Sequence, residues 1–381
     1  MKLEHLDALL RYLIAAGGSD LHLKVGSPPK VRVDGALTNV EGVPRLTPAD
    51  TEKIADAMLM GLAREHFENH LDADFAYGAR NVGRFRVNVF RQRGSVGIVM
   101  RHVTYGVESI DELGLPPVLK SFASESRGLV LVTGPTGSGK TTTLAAMVNH
   151  INTTRSVNMV TIEDPIEILH RDETAAISQR EIGTDAESFA RAMRAAMRQD
   201  PDVIMVGEMR DAETVAAALA AAETGHLVLS SLHTTDATET INRIVDFYPS
   251  SQQRQARVAL ASTLKATVAQ RLVPAIRGGR LPVCETLTTT GRVQQCILNP
   301  DMTHQIHDLI DEGDFYGMQT FDSSLADLVA ADRVSYEAAM VAATRPHDLQ
   351  VRLERMGVME GARRVQDRVD AVAQLEQLGQ P

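Results

Sequence analysis

The stretch Gly134-Pro135-Thr136-Gly137-Ser138-Gly139-Lys140-Thr141 has the residue types and spacing needed to hold a phosphate chain. Small residues let successive backbone N–H groups converge on phosphate oxygens. Lys140 adds a cation at the β- and γ-phosphates, and Thr141, followed by Thr142, offers a hydroxyl to Mg2+. A helix leaving the loop points its positive dipole end at the same anion. An apolar run, Leu129–Val132, enters the loop and a helix-compatible stretch leaves it, which is more context than a chance Gly-rich turn offers. ATP and Mg2+ are the ligands this pattern predicts.

Cleaving a phosphoanhydride also needs a metal held by oxygen ligands, a positioned water and cations near the γ-phosphate. Parallel strands present their carboxyl ends to ligands, so acids at such ends are the natural suppliers. Two apolar runs end this way, Met159–Ile162 before Glu163 and Val203–Val206 before Gly207-Glu208. Glu208 is expected to act on Mg2+, directly or through water, and Glu163 to orient or deprotonate the attacking water. A third run, Leu227–Leu229, lies between His226 and His233; a histidine beside a γ-phosphate can hydrogen-bond it and carry charge near neutral pH.

Arg84, Arg86, Arg91, Arg93 and Arg101 crowd one short stretch, with Arg84 and Arg86 on one face of a strand. A solvated basic face is the ordinary explanation of such a cluster. The guanidinium fork also suits phosphate oxygens, and the P-loop half supplies no obvious arginine of its own. The expectation is that Arg86 and Arg101 reach a nucleotide, within the chain or across a subunit boundary.

These groups need two kinds of scaffold. Over the first hundred residues, a helix at 3–16 and another at Pro48–Met60, capped by Thr47, alternate with strands at 19–25, 31–35, 74–77, 84–90 and 97–102. Gly114-Leu115-Pro116-Pro117 breaks regular structure. Beyond it, unbroken apolar runs alternate with helices at 139–152, 186–199 and 211–224, the pattern of a parallel sheet buried on both faces. From 252 on the chain reads as mainly helical, ending in a charged, Ala-rich stretch.

Composition narrows the classes of partner. A net charge of −10 and 4% aromatic content count against a groove for nucleic acid, which needs clustered Lys and Arg with stacking rings. Two cysteines, Cys284 and Cys296, match no zinc template and are expected as reduced thiols. No export signal and no run of about 18 apolar residues is visible, so any membrane role is expected through partners.

The segments Gly134–Thr143, Thr161-Ile162-Glu163-Asp164-Pro165-Ile166-Glu167, Val206–Asp211 and Gly225–Thr235 together resemble the secretion ATPase superfamily of type II secretion and type IV pili. Ser19-Asp20-Leu21-His22-Leu23, Gly83–Arg93 and Gly317–Leu328 are similar to its pilus-retraction branch, and the likeness spans about residues 1–350. The resemblance implies an α/β chain with a PAS-like N-terminal domain at 1–105, a linker at 106–120 and a RecA-like ATPase domain with a helical C-terminal part at 121–350. A charged helical tail at 351–381 has no family counterpart.

It also implies Glu163 as the catalytic glutamate, Glu208 as the Walker B acid, His226 and His233 as the His box, and Arg86 and Arg101, with Arg84 as a third, at the γ-phosphate. The implied assembly is a cytoplasmic homo-hexamer at the inner face of the cell membrane, acting on an inner-membrane pilus platform protein. Assembly and secretion members carry a tetracysteine zinc motif and a longer N-terminal region, and neither is present here. Retraction members carry an Ala-Ile-Arg-Asn-Leu-type segment, where this chain has Arg292–Pro300. The alternatives are a fibre-assembly ATPase, a RecA-like nucleic-acid translocase and a nucleotide-bound scaffold without turnover.

Overall fold

The computed structural model describes residues 3–358, so the tail expected at 351–381 lies outside the described residues from 359 on. The chain forms two compact units. One comprises residues up to Gly106 with Glu163–Arg171 and Gln179–Ser188; the other comprises Val107–Ile162, Asp172–Ser178 and the chain from Phe189 onward.

The first unit opens with α1 (Leu3–Ala15), which buries Leu6, Leu9, Leu10 and Leu13 along one face at helical spacing. Strands β1 (Asp20–Leu23), β2 (Lys30–Val33) and β3 (Ala36–Asn39) follow, then α2 (Pro48–Met58) and α3 (Gly61–His70). Thr47 and Asp50 form a reciprocal capping box at the start of α2. Strands β4 (Asp72–Ala79), β5 (Gly83–Gln92) and β6 (Ser95–Tyr105) complete a sheet ordered β3-β2-β1-β6-β5-β4. Phe85, Val87 and Val89 of β5 point inward at alternate positions and meet Met100 and Leu21 in the core. That alternation also sends Arg84 and Arg86 to the opposite face. Neither β3, exposed throughout, nor α3, in which only Phe67 is buried, has an apolar pattern that the sequence reading could detect.

The second unit begins with α4 (Val118–Ala123), β7 (Gly128–Thr133), α5 (Lys140–Thr154) and β8 (Asn158–Glu163). The two-residue strand β9 (Ile168–Leu169) belongs to the first unit, where it pairs with β6, and after it come β10 (Ala176–Glu181), α6 (Phe189–Ala196), β11 (Val203–Val206), α7 (Ala212–Glu223) and β12 (Leu227–Leu232). The remaining elements are α8 (Ala237–Asp246), α9 (Gln253–Thr263), β13 (Leu264–Pro274), β14 (Arg280–Thr288), α10 (Gly291–Leu298), α11 (Ile306–Asp311), α12 (Phe321–Ala330), α13 (Tyr336–Ala342) and α14 (Pro346–Arg355).

The sheet order is β10-β8-β11-β12-β7-β13-β14, with β8, β11, β12, β7 and β13 parallel. Every residue of β7, β11 and β12 is buried, as strands covered by helices on both faces require. The C-terminal part is helical in most of its elements, but the β13–β14 hairpin interrupts it. Its inner positions are buried on both faces and so lack the alternation that marks a half-exposed strand. Gly278 and Gly279, both at positive φ, make its turn.

Candidate nucleotide site

Strand β7 runs straight into the Gly-rich loop, and the loop runs straight into α5. Gly134, Gly137 and Gly139 adopt φ of 144°, 79° and 90°, conformations that side chains resist. At Gly134 a Cβ would also run into the Gln270 carbonyl and the Ser138 hydroxyl, so only glycine fits there. Gly139 caps α5, which starts at Lys140 and directs its first N–H groups back toward the loop. Lys140 Nζ donates to the carbonyls of Gly134 and Pro135 at 2.8 and 3.0 Å, arching over the loop. Burial lowers the Lys140 pKa, and the field of Glu208 opposes that shift. Ser138 Oγ is buried without a hydrogen-bond partner inside the cradle. Converging amides, a partly desolvated ammonium and an orphaned hydroxyl form a donor set that suits phosphate oxygens.

The registers place β11 beside β12 and β12 beside β7, with Val206 opposite Ser230 and Leu232 opposite Thr133. These strands therefore end together. Ser230 Oγ donates to the Val206 carbonyl at 2.8 Å, and Ser231 Oγ to the Gly207 carbonyl at 2.6 Å. Met209 N donates to the Ser231 carbonyl at 3.1 Å, so the turn carrying Glu208 is fastened to β12 on both sides of that residue. Glu208 Oε2 lies 3.3 Å from His233 Nε2, and Oε1 pairs with Arg210. Burial pushes the Glu208 carboxyl up, but the bonds from Arg210 and His233 outweigh it and hold the group below its ordinary value. Lys140, Glu208 and His233 thus share one edge of the sheet.

The other residues singled out in the sequence sit as follows. Glu163 is the last residue of β8, buried, and accepts from Gln179 Nε2 at 3.1 Å. His226 lies before the amino end of β12, where its carbonyl accepts from Gly128 N and its Nδ1 lies 3.0 Å from the Ala221 carbonyl. The six residues of β12 separate it from His233 by about 20 Å at the usual rise per residue. The chain does not bring His226 to the edge where the loop sits.

In the first unit, Arg86 stands opposite Arg101 across β5 and β6, Arg101 opposite Asp20 across β6 and β1, and Asp20 opposite Arg32 across β1 and β2. Directly opposed residues share a face, so three guanidiniums and one carboxylate form a single row. Asp20 Oδ1 accepts from Arg101 Nε at 2.8 Å, while Arg32 Nε is 3.9 Å from Oδ2. Arg86 is exposed and lines a cavity of about 640 Å³ with Tyr77, Asp164 and Glu181. Arg84 is occupied differently, by Glu181 at 3.1 Å.

Sequence reasoning passed over Asp20, Gln179, Ser230, Ser231 and Gln270. Polar residues within otherwise buried strands were the available signal: such a group folds only with a partner.

The profile of the Type II/IV secretion system protein family matches residues 4–323, and the chain belongs to that family. Among its relatives is the type IV pilus retractation ATPase PilT of Pseudomonas aeruginosa, 42% identical over 343 residues that cover 90% of this chain and 99% of that protein. The type IV pilus ATPase PilU of the same organism is 40% identical over 350 residues, 91% of each chain. Among solved structures, the pilus retraction motor PilT with bound ADP superimposes with a TM-score of 0.83 at 44% identity, over 90% of this chain and 98% of that one.

Proposed function

We propose that this chain is an ATP-hydrolysing motor and that its work is the retraction of a type IV pilus. The observation that carries the proposal is the meeting of Lys140, Glu208 and His233 at the loop edge. The full-length likeness to a retraction ATPase, and to a retraction motor solved with ADP, supports the direction of the work.

Each residue has a part in that reading. The amides of Gly134–Thr142 cradle the phosphates, and Lys140 exchanges its two carbonyl partners for β- and γ-oxygens. Thr141 and Glu208 are the groups that would hold Mg2+. Among the described residues no cluster of three or more His, Cys, Asp or Glu could hold a metal unaided, which suits an ion bound mainly through phosphates and water. When bound, Mg2+ offsets phosphate charge. Glu163 orients the attacking water and accepts its proton. His233 bonds to Glu208 and thereby links the strand ends to the occupancy of the γ-phosphate position. Arg86 and Arg101 offset the charge that develops on the γ-phosphate, delivered from this chain or from a neighbour in a homo-hexamer. Arg84, engaged with Glu181, supports β5 instead.

The mechanical partner in this reading is a platform protein of the inner membrane, approached from the cytoplasm. No helix among the described residues is long and apolar enough to cross a membrane, and in this reading force reaches the fibre through such a partner. Deleting the gene in its host tests the direction. Cells crowded with static fibres are expected, whereas bald cells would contradict retraction and indicate assembly.

A further inference from the structure

Gln270 lies in the middle of β13, buried, and uses both ends of its carboxamide. Nε2 donates to the Ser138 carbonyl at 2.7 Å, and Oε1 accepts from Thr143 Oγ1 at 2.7 Å. Its own backbone carbonyl fills the space that a Cβ at Gly134 would need, and a Cβ at Gly139 would come within 2.8 Å of Nε2. One residue therefore touches the first glycine of the loop, its last glycine and the first turn of α5.

A trans peptide directs its C=O and N–H in opposite directions. By fixing the Ser138 carbonyl toward β13, Gln270 turns the Gly139 N–H away from β13. The carboxamide meets both demands at once, a donor for Ser138 and an acceptor for Thr143. A carboxylate would set oxygen against oxygen at Ser138, and an apolar side chain would leave a buried carbonyl without a partner.

We propose that Gln270 is a positioning residue that holds the phosphate loop in its binding shape before nucleotide arrives. The proposal rests on reading the loop as an ATP site, and it adds that β13, on the side of β7 away from β12, governs nucleotide affinity. Loss of the clamp then acts on binding more than on the chemical step.

The test is ADP affinity of the full chain, wild type against Gln270→Met and Thr143→Val, with circular dichroism and a melt without nucleotide to establish folding. Gln270→Met is expected to raise the Kd about tenfold and Thr143→Val about threefold, with the KM for ATP rising in parallel and kcat changing less. A purely structural role would lower the melting midpoint and leave the Kd of the folded protein where it was. A folded Gln270→Met with a Kd within twofold of wild type overturns the proposal. If that variant does not fold, an unchanged Kd in Thr143→Val overturns it. A wild type that binds no ADP would instead sink the nucleotide reading itself.

Discussion

Asp20 and Arg101 face each other across β1 and β6, and the carboxylate holds the guanidinium by its Nε at 2.8 Å. Burial raises the Asp20 carboxyl, but bonds from Ser19 and Arg101 outweigh it and keep the group below its ordinary value, hence ionised. The Arg101 side chain is 67% exposed, so the pair contributes little to stability and its worth lies in where it aims the arginine. Asp20→Asn should therefore lower ATP turnover by about tenfold, as should Arg101→Ala, at nearly unchanged melting temperature. Phosphate release from both single variants and the double variant checks this. The double should be no slower than Arg101→Ala, because both changes remove one device.

Glu208 takes its orientation from two neighbours, Arg210 and His233. Glu208→Gln should slow hydrolysis by about 10²–10³-fold, since it removes the carboxylate that Arg210 and His233 hold at this strand end. His233→Ala should cost about tenfold, because Arg210 still holds the acid. Steady-state phosphate release ranks the two, and a His233 variant slower than Glu208→Gln would contradict the assignment.

Glu163 is buried at the end of β8, held by Gln179 from one side. Glu163→Gln keeps the volume and the acceptor but cannot take a proton. Nucleotide should remain bound with an affinity within about twofold of wild type, while cleavage in a single turnover falls by at least roughly 100-fold. Rapid-quench measurement of labelled ATP separates the two quantities.

Glu285 of β14 is buried and accepts from the Ala237 N–H at the start of α8. Burial pushes its carboxyl up to about 7; that N–H and Arg271 oppose the rise, while Asp236 and Asp322 add to it. The folded protein thus binds a proton here that the unfolded chain has released. This contribution to stability is fully present below the ordinary Glu pKa and is lost as pH rises through about 7. The melting midpoint should fall between pH 6 and pH 8. Glu285→Gln should flatten that fall and melt higher than wild type at pH 8.

Much of this could be read from the chain because the chemistry is local. The loop from Gly134 to Thr141 carries its own geometry in its glycines, and the runs at 129–132, 159–162 and 203–206 appear as β7, β8 and β11 within a residue or two. Glu208 follows from its strand. His226 did not, since a histidine beside an apolar run gives no sign of which strand end it occupies, and register alone puts it at the far end of β12. Asp20 and Gln270 were hidden for a different reason. Each works through a partner 81 or 127 to 132 residues away, and spacing along one chain carries no information about such pairs. Strand β3 has no buried face at all, so hydrophobic period could not reveal it.

The most direct test is phosphate release from Mg-ATP by the purified full chain and by Lys140→Ala. Wild type should turn over ATP, and the variant should lose binding or turnover by at least roughly 100-fold. Near-normal hydrolysis in Lys140→Ala would contradict the account, because the chemistry would then lie away from the loop.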